Sequence, residues 1–235
     1  MCYHVSNHKD KNIIKKVFKA KFDQEDDFKV SYHVNGFDKP LLPFISNEDA
    51  TSIQLFRWRL VPSTVSDESA FLANTLNARA EDLLQKSSYK AYWQNRGLVI
   101  CSGFFEPHKA AGIKQSQAYY IKPKHEEFFR LGAIWAKWKD QYTCSIITLE
   151  ASPFMAEIHN EGKRMPLMLS NDAAQQWLQK DLSQEDMKKL MSASVADEQV
   201  ESYRVMDGIM NARKNTNIPE AIKPLENALG QISLF

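Results

Sequence analysis

Cysteine is scarce. The 235 residues hold three, Cys2, Cys101 and Cys144, with no C-x-x-C pair among them. An odd count without that spacing excludes a disulfide framework and a structural zinc site, so no metal or cofactor is expected. Long apolar runs are missing too. None approaches the roughly 18 residues needed to cross a bilayer, and the first 25 residues are rich in Lys and Asp rather than in a signal-peptide core. No membrane association is expected, and the reading is a cytoplasmic protein. There is no internal repeat and no excess of one charge: the formal net charge is +1, so any nucleic-acid site must come from local clustering. What is present is an ordinary globular composition, 43% hydrophobic and 25% charged, enough for one sizeable core.

Apolar residues at helical spacing from Asn12 to Phe22, opposite Lys15, Lys16, Lys19 and Lys21, predict an amphipathic helix with a basic face. A solvated surface is the competing reading of that face. Helices are also predicted over Ala78–Lys86, Ser170–Gln179 and Ser183–Met191, the last with Ser183 and Asp186 spaced as a capping box. Short strands are predicted at Lys29–Tyr32, Ile53–Trp58, Gly97–Cys101, Phe104–His108, Ala118–Ile121, Leu131–Lys137, Thr143–Thr148 and Glu201–Val205. Many short strands with flanking helices give an α+β fold on a curled, barrel-like, mainly antiparallel sheet. The chain turns polar after Met206, so one domain over 2–206 and an extended tail over 207–235 are expected.

Cys2 stands directly behind the initiator methionine, which cells remove when the next residue is small. The trimmed chain offers an amine with a reference pKa near 7.7–8.0 and, two bonds away, a thiol near 8.5. The amine forms an imine with an aldehyde. The thiol then adds to the imine carbon and closes a five-membered thiazolidine, which no internal cysteine can do. Acyl transfer with the amine as base is the other chemical use, and a tolerant second position is the bland one.

Glu106 lies among Phe104, Phe105 and Pro107, where apolar surroundings raise a carboxyl pKa and suit acid–base work; a surface ion pair is the alternative. Cys101 reads as a core thiol. Asn77 and Arg79 stand at the start of the helix predicted there, placed to orient a polar group and to grip phosphate; Asn77 as a plain N-cap competes. His159 precedes a Gly-containing loop and suits proton transfer, although lone histidines are more often structural; Lys163 and Arg164 add local positive charge. Trp58 between Arg57 and Arg59 reads either as a stacking surface for single-stranded nucleic acid or as a buried strand tryptophan.

The order of these pieces carries more than any one of them. Cys2, then W-x-L-V-P (Trp58–Pro62), N-A-R-A-E (Asn77–Glu81), G-F-F-E (Gly103–Glu106), A-I-W (Ala133–Trp135) and T…I-H…R-M-P (Thr148 to Pro166) resemble the SRAP family, the SOS-response-associated peptidases understood as shields of abasic sites. The resemblance covers about residues 2–206. It implies an α+β fold with a basic groove for single-stranded DNA, and a thiazolidine between Cys2 and the ring-opened abasic sugar. It makes Asn77 the orienting group for the amine or sugar, Glu106 the proton carrier during imine formation, and His159 the aid to sugar opening or to reversal. Arg79 and His4 would meet phosphate, Trp58 would pack a base, and Arg57, Lys163 and Arg164 would line the DNA path. The peptidase activity would be removal of Met1, a step methionine aminopeptidase also performs.

Four features depart from the family pattern. Tyr3 and His4 stand where Gly and Arg are usual, Arg59 where Gly follows the tryptophan, and Pro107 where an aromatic follows the glutamate. Four residues, not one, separate His159 from Arg164. The alternatives are an N-terminal-cysteine amidohydrolase, for which no oxyanion hole or amino-acid pocket is visible in the sequence, and a noncatalytic nucleic-acid-binding protein.

The chain ends QISLF. Gln231, Leu234 and Phe235 resemble the pentapeptide by which bacterial replication proteins dock on the sliding clamp, with two apolar anchors and a hydrogen-bonding rim. A tail folded onto its own domain is the competing reading. A monomer is expected.

Overall fold

The structure is a computed structural model that describes residues 2–211 and 215–225. The residues matching the clamp pentapeptide, Gln231, Leu234 and Phe235, lie outside the described residues.

The strands are β1 (His4–Asn7), β2 (Lys21–Phe22), β3 (Ser31–Asn35), β4 (Leu41–Ser46), β5 (Ser52–Trp58), β6 (Asn77–Arg79), β7 (Arg96–Cys101), β8 (Gly103–His108), β9 (Gln117–Pro123), β10 (Phe129–Trp138), β11 (Gln141–Glu150), β12 (Arg164–Pro166), β13 (Met168–Leu169) and β14 (Val200–Arg204). The helices are α1 (Lys11–Phe18), α2 (Pro153–Ile158), α3 (Asn171–Trp177) and α4 (Gln184–Ser192).

Strands β11, β10, β7, β4 and β5 follow one another by antiparallel pairing, and β5 then pairs parallel with β11. That last pairing, Thr143 to Arg57 and Cys144 to Trp58, closes a five-stranded barrel. A second sheet runs β14-β9-β8-β1-β3. The two share a continuous strand, because only Ser102 separates β7 in the barrel from β8 in the second sheet. The result is the α+β, barrel-centred fold expected from the sequence. Among the described residues, no helix is long and apolar enough to cross a membrane.

Inward-facing aromatic and branched side chains fill the barrel. Phe44 stacks on Phe56 at 4.2 Å and Phe56 on Tyr142 at 4.9 Å, with Trp135 edge-on to both rings. Cys2 and Val5 belong to the same buried cluster, so the N-terminus is drawn against the barrel core.

Three expectations need correction. The first helix ends at Phe18, where Lys19 takes a left-handed conformation (φ 50°), and Lys21–Phe22 pairs with β5 instead. Ala78–Lys86 is not a helix. Asn77–Arg79 pairs parallel with β11 at Ile146–Thr148, and Ala80–Asp82 makes one 3₁₀ turn. The strand-edge bonds offered by β11 outweigh the local helix propensity of that stretch. The polar stretch after Met206 is not simply extended. Ile209 and Ala221 are buried against Phe105, Ala118 and Tyr120, and Thr216 Oγ1 bonds His33 Nδ1 at 2.6 Å.

Candidate functional site at the barrel mouth

β1 lies antiparallel beside β8, with His4 opposite Phe105 and Val5 opposite Phe104. The chain just ahead of His4 therefore arrives beside Glu106. From the other side, β6 hangs on β11 and brings Asn77 over the N-terminus, where Asn77 Nδ2 donates to the Cys2 carbonyl at 2.9 Å. Ser152 caps α2 by accepting from Met155 N, and His159 closes the helix at its C-terminal end. His159 Nδ1 donates to the Arg164 carbonyl at 2.9 Å and lies 3.5 Å from Glu106 Oε2. Cys2, Asn77, Glu106 and His159, drawn from four separate stretches of sequence, thus meet at one end of the barrel.

The electrostatics are those of a nearly dry pocket. Cys2 and Glu106 are both fully buried. Burial pushes the Cys2 thiol well above its usual range, and the neighbouring Glu106 charge adds to the push. Burial raises the Glu106 carboxyl to about 7. Among the described residues, neither Glu106 oxygen has a hydrogen-bond partner, and Asn77 Oδ1 has none either. Buried acceptor oxygens without donors on two neighbouring side chains are costly in a folded protein and point to a site that a ligand's donors would complete. Burial also holds His159 below the ordinary histidine value, leaving the ring mostly neutral near pH 7.

The residues proposed to line a DNA path divide. Arg79 is exposed on β6, and Lys163 is exposed in a left-handed turn (φ 46°) beside His159. Arg164 grips Glu81 with both Nη atoms, at 2.7 and 3.1 Å, and bonds the Thr148 carbonyl. Its charge is therefore already matched. His4 is bonded through Nδ1 to His33 Nε2 at 2.9 Å, and burial lowers it to about 4, so it is neutral and not a phosphate cation at physiological pH. Arg57 pairs with Glu68 at 2.8 Å.

Trp58 is corrected outright. It is fully buried, its Nε1 donates to the Leu76 carbonyl at 2.8 Å, and a Cβ on Gly36 would sit 3.0 Å from its ring. Gly36 is glycine because the turn rests directly on the indole. No face of Trp58 is open to a base.

Sequence reasoning missed the aromatic surface that is open. Phe37, 57% exposed on the turn Gly36–Asp38, packs on Tyr3 at 4.9 Å between ring centres. Gly36 N donates to the Tyr3 carbonyl at 2.8 Å, and Asn74 Nδ2 reaches the Tyr3 hydroxyl at 3.4 Å. An Asn-Gly pair such as Asn35-Gly36 favours a turn; nothing local signals that the turn meets residue 3.

The family model for SOS response associated peptidase (SRAP) matches residues 1–212. The chain belongs to this family. Among curated relatives, the abasic site processing protein YoaM of Bacillus subtilis is 28% identical over 197 residues, 81% of this chain and 84% of that one. The abasic site processing protein HMCES of Pongo abelii is 27% identical over 222 residues; the match covers 79% of this chain and 61% of that longer protein. A crystal structure of a protein from Bacteroides thetaiotaomicron superposes with a TM-score of 0.86 at 27% identity, covering 95% of this chain and all of the other.

Proposed function

We propose that this SRAP protein binds single-stranded DNA and shields abasic sites by a covalent thiazolidine between Cys2 and the ring-opened sugar. The observation that carries the reading is the meeting of Cys2, Asn77, Glu106 and His159, with oxygens on Asn77 and Glu106 that have no hydrogen-bond partner among the described residues. The relatives named as abasic site processing proteins support DNA as the partner.

After Met1 is removed, by the protein itself or by an aminopeptidase, the Cys2 amine adds to the sugar aldehyde to give a carbinolamine. Loss of one water needs a proton at the departing oxygen. A carboxyl titrating near 7 supplies it, since Glu106 is then populated in both forms around neutrality. The thiol arrives protonated, and the resulting Glu106 carboxylate accepts its proton as sulfur bonds the iminium carbon; the acid is thereby regenerated, and nitrogen keeps the one hydrogen left from the amine. The balance is one water released, one C–N and one C–S bond formed. Asn77 fixes the Cys2 backbone by the bond to its carbonyl. Neutral His159 moves the proton that opens or recloses the sugar ring. Ring closure by sulfur removes the imine and with it the route to β-elimination and strand breakage. Exposed Arg79 and Lys163 meet phosphates, and the Tyr3–Phe37 pair takes the stacking role that Trp58 cannot.

The test is a denaturing gel of the trimmed protein with an oligonucleotide bearing one abasic site. A heat-resistant shifted band is expected from the wild type. Cys2→Ala should give at most a borohydride-trappable imine and more cleaved strand. No band from a sample whose mass shows Cys2 intact at the terminus sinks the reading. Docking of the terminal QISLF on a sliding clamp is a separable part of the proposal, tested by pull-down with purified clamp of the full chain against one ending at Gly230; equal recovery ends it.

A further inference from the structure

We propose that Lys39, Arg57 and Arg59 form a second phosphate site beside the Cys2 centre, held by the resident carboxylate of Glu68 until a backbone phosphate of single-stranded DNA displaces it. The inference rests on the DNA-binding reading above.

Three cations converge on one carboxylate. Glu68 Oε1 lies 3.1 Å from Lys39 Nζ and 3.0 Å from Arg59 Nη1, and Oε2 lies 2.8 Å from Arg57 Nη1. Three positive groups against one negative leave two charges in excess. The carboxylate also under-fills the site geometrically. Arg57 Nε and Nη2 are buried and bond to nothing among the described residues. A buried guanidinium N–H without an acceptor is costly, and a tetrahedral phosphate offers acceptor oxygens in directions that a planar carboxylate does not.

Each guanidinium has a contact besides Glu68, Arg57 on strand β10 and Arg59 on the segment that follows Glu68. Arg57 lies over the Trp138 ring at 5.4 Å and Arg59 over the Phe71 ring at 5.6 Å. Arg59 also bonds the Phe71 carbonyl. Its backbone has φ 127°, a region that favours glycine and strains an arginine. The chain tolerates that strain and gains a guanidinium at this point. By contrast, Glu68 is carried on a stretch, residues 63–74, in which no residue is buried. The stretch is pinned at Ser63 and Val65 by Tyr92 and Trp138, and at Phe71 and Asn74 by Arg59 and Tyr3; Glu68 lies between those points, and its side chain can swing out while they stay in place.

The site is also close to the reacting residue. Lys39 N bonds the Gly36 carbonyl, and Gly36 N bonds the carbonyl of Tyr3, the neighbour of Cys2. A strand stacked on Phe37 passes directly to Lys39.

The experiment measures binding of a fluorescent single-stranded oligonucleotide without any abasic site, by anisotropy over a series of salt concentrations. Glu68→Gln is expected to bind roughly three- to tenfold tighter at low salt, with a steeper dependence of affinity on salt. Lys39→Gln in the wild type is expected to weaken binding, and added to Glu68→Gln it should cancel the gain. Glu185→Gln, a distant exposed carboxylate on α4, controls for net charge. Unchanged or weaker binding by a cooperatively melting Glu68→Gln overturns the proposal. So does an equal gain from Glu185→Gln, or a Lys39→Gln that binds as wild type does. Normal crosslinking of abasic strands without a Glu68→Gln gain sinks this site alone. Binding of the intact strand without crosslinking sinks the shielding reaction and leaves this site standing.

Discussion

His159 is fixed from two directions. Its Nδ1 donates to the Arg164 carbonyl with Glu106 Oε2 3.5 Å away, and Gly162 lies against the opposite nitrogen, where an added Cβ would come within 2.3 Å of Nε2. Gly162→Ala therefore has to move the ring while leaving the barrel untouched. Crosslinking should slow by about tenfold or more, because small displacements of a reacting group are costly in rate. Single-turnover kinetics on an abasic oligonucleotide, beside a thermal melt shifted only slightly, would check it; an unaltered rate would show that ring position is immaterial. Residue by residue, Cys2 and Glu106 stand out in the sequence on local facts: a position next to the initiator, and apolar neighbours on both sides. Trp58 does not, because a tryptophan flanked by arginines reads the same whether it faces a base or a core. Which face a strand residue takes is set by the sheet that closes around it, here the β5–β11 pairing.

Element by element, the segment over residues 215–225 behaves as a strap. Asn217 Oδ1 accepts from Tyr32 N at 2.8 Å, Tyr203 donates its hydroxyl to the Ile222 carbonyl at 2.8 Å, and Leu225 N bonds the Arg204 carbonyl at 3.0 Å. The strap thus ties β3 to β14, the two outer strands of the second sheet. A chain ending at Asn211 should lose several degrees in Tm, at roughly 2–4 °C per kcal/mol for a domain of this size. Its Tyr32 and His33 amides should exchange faster with solvent. Unaltered exchange at those two amides would mean that the strap contributes nothing to the sheet. The strap was invisible in the sequence, where polar composition suggested an extended tail, because its contribution lies in single side chains such as Thr216, Asn217 and Ala221 and not in any periodicity. Regular elements fared better: Ser183 does cap α4 through Asp186 N, and β10 and β11 span the expected strands Leu131–Lys137 and Thr143–Thr148.

For the molecule as a whole, the site and its surroundings pull stability in opposite directions with pH. Glu106 titrates near 7 in the folded chain because it is buried, against a usual value of 4.5. The native state therefore keeps a proton that the unfolded chain has already lost, and the stabilisation is full below about pH 4.5 and gone as pH rises through 7. Burial lowers His4, His8 and His33 to about 4. Their contribution has the reverse sign, full above about pH 6.5 and lost as pH falls toward 4. Glu106→Gln removes only the first of these. Above about pH 8 the variant should be more stable than wild type, by up to about 3 kcal/mol for a shift of this size. The gap should close below about pH 4.5, where both side chains are neutral. Crosslinking by the same variant should slow at every pH. Urea midpoints over a pH series measure the first, and the denaturing gel the second. A variant less stable than wild type at high pH would show that Glu106 is satisfied in the fold after all. The predicted pattern, more stability with less reaction, is what a carboxyl kept in a dry pocket for proton transfer requires.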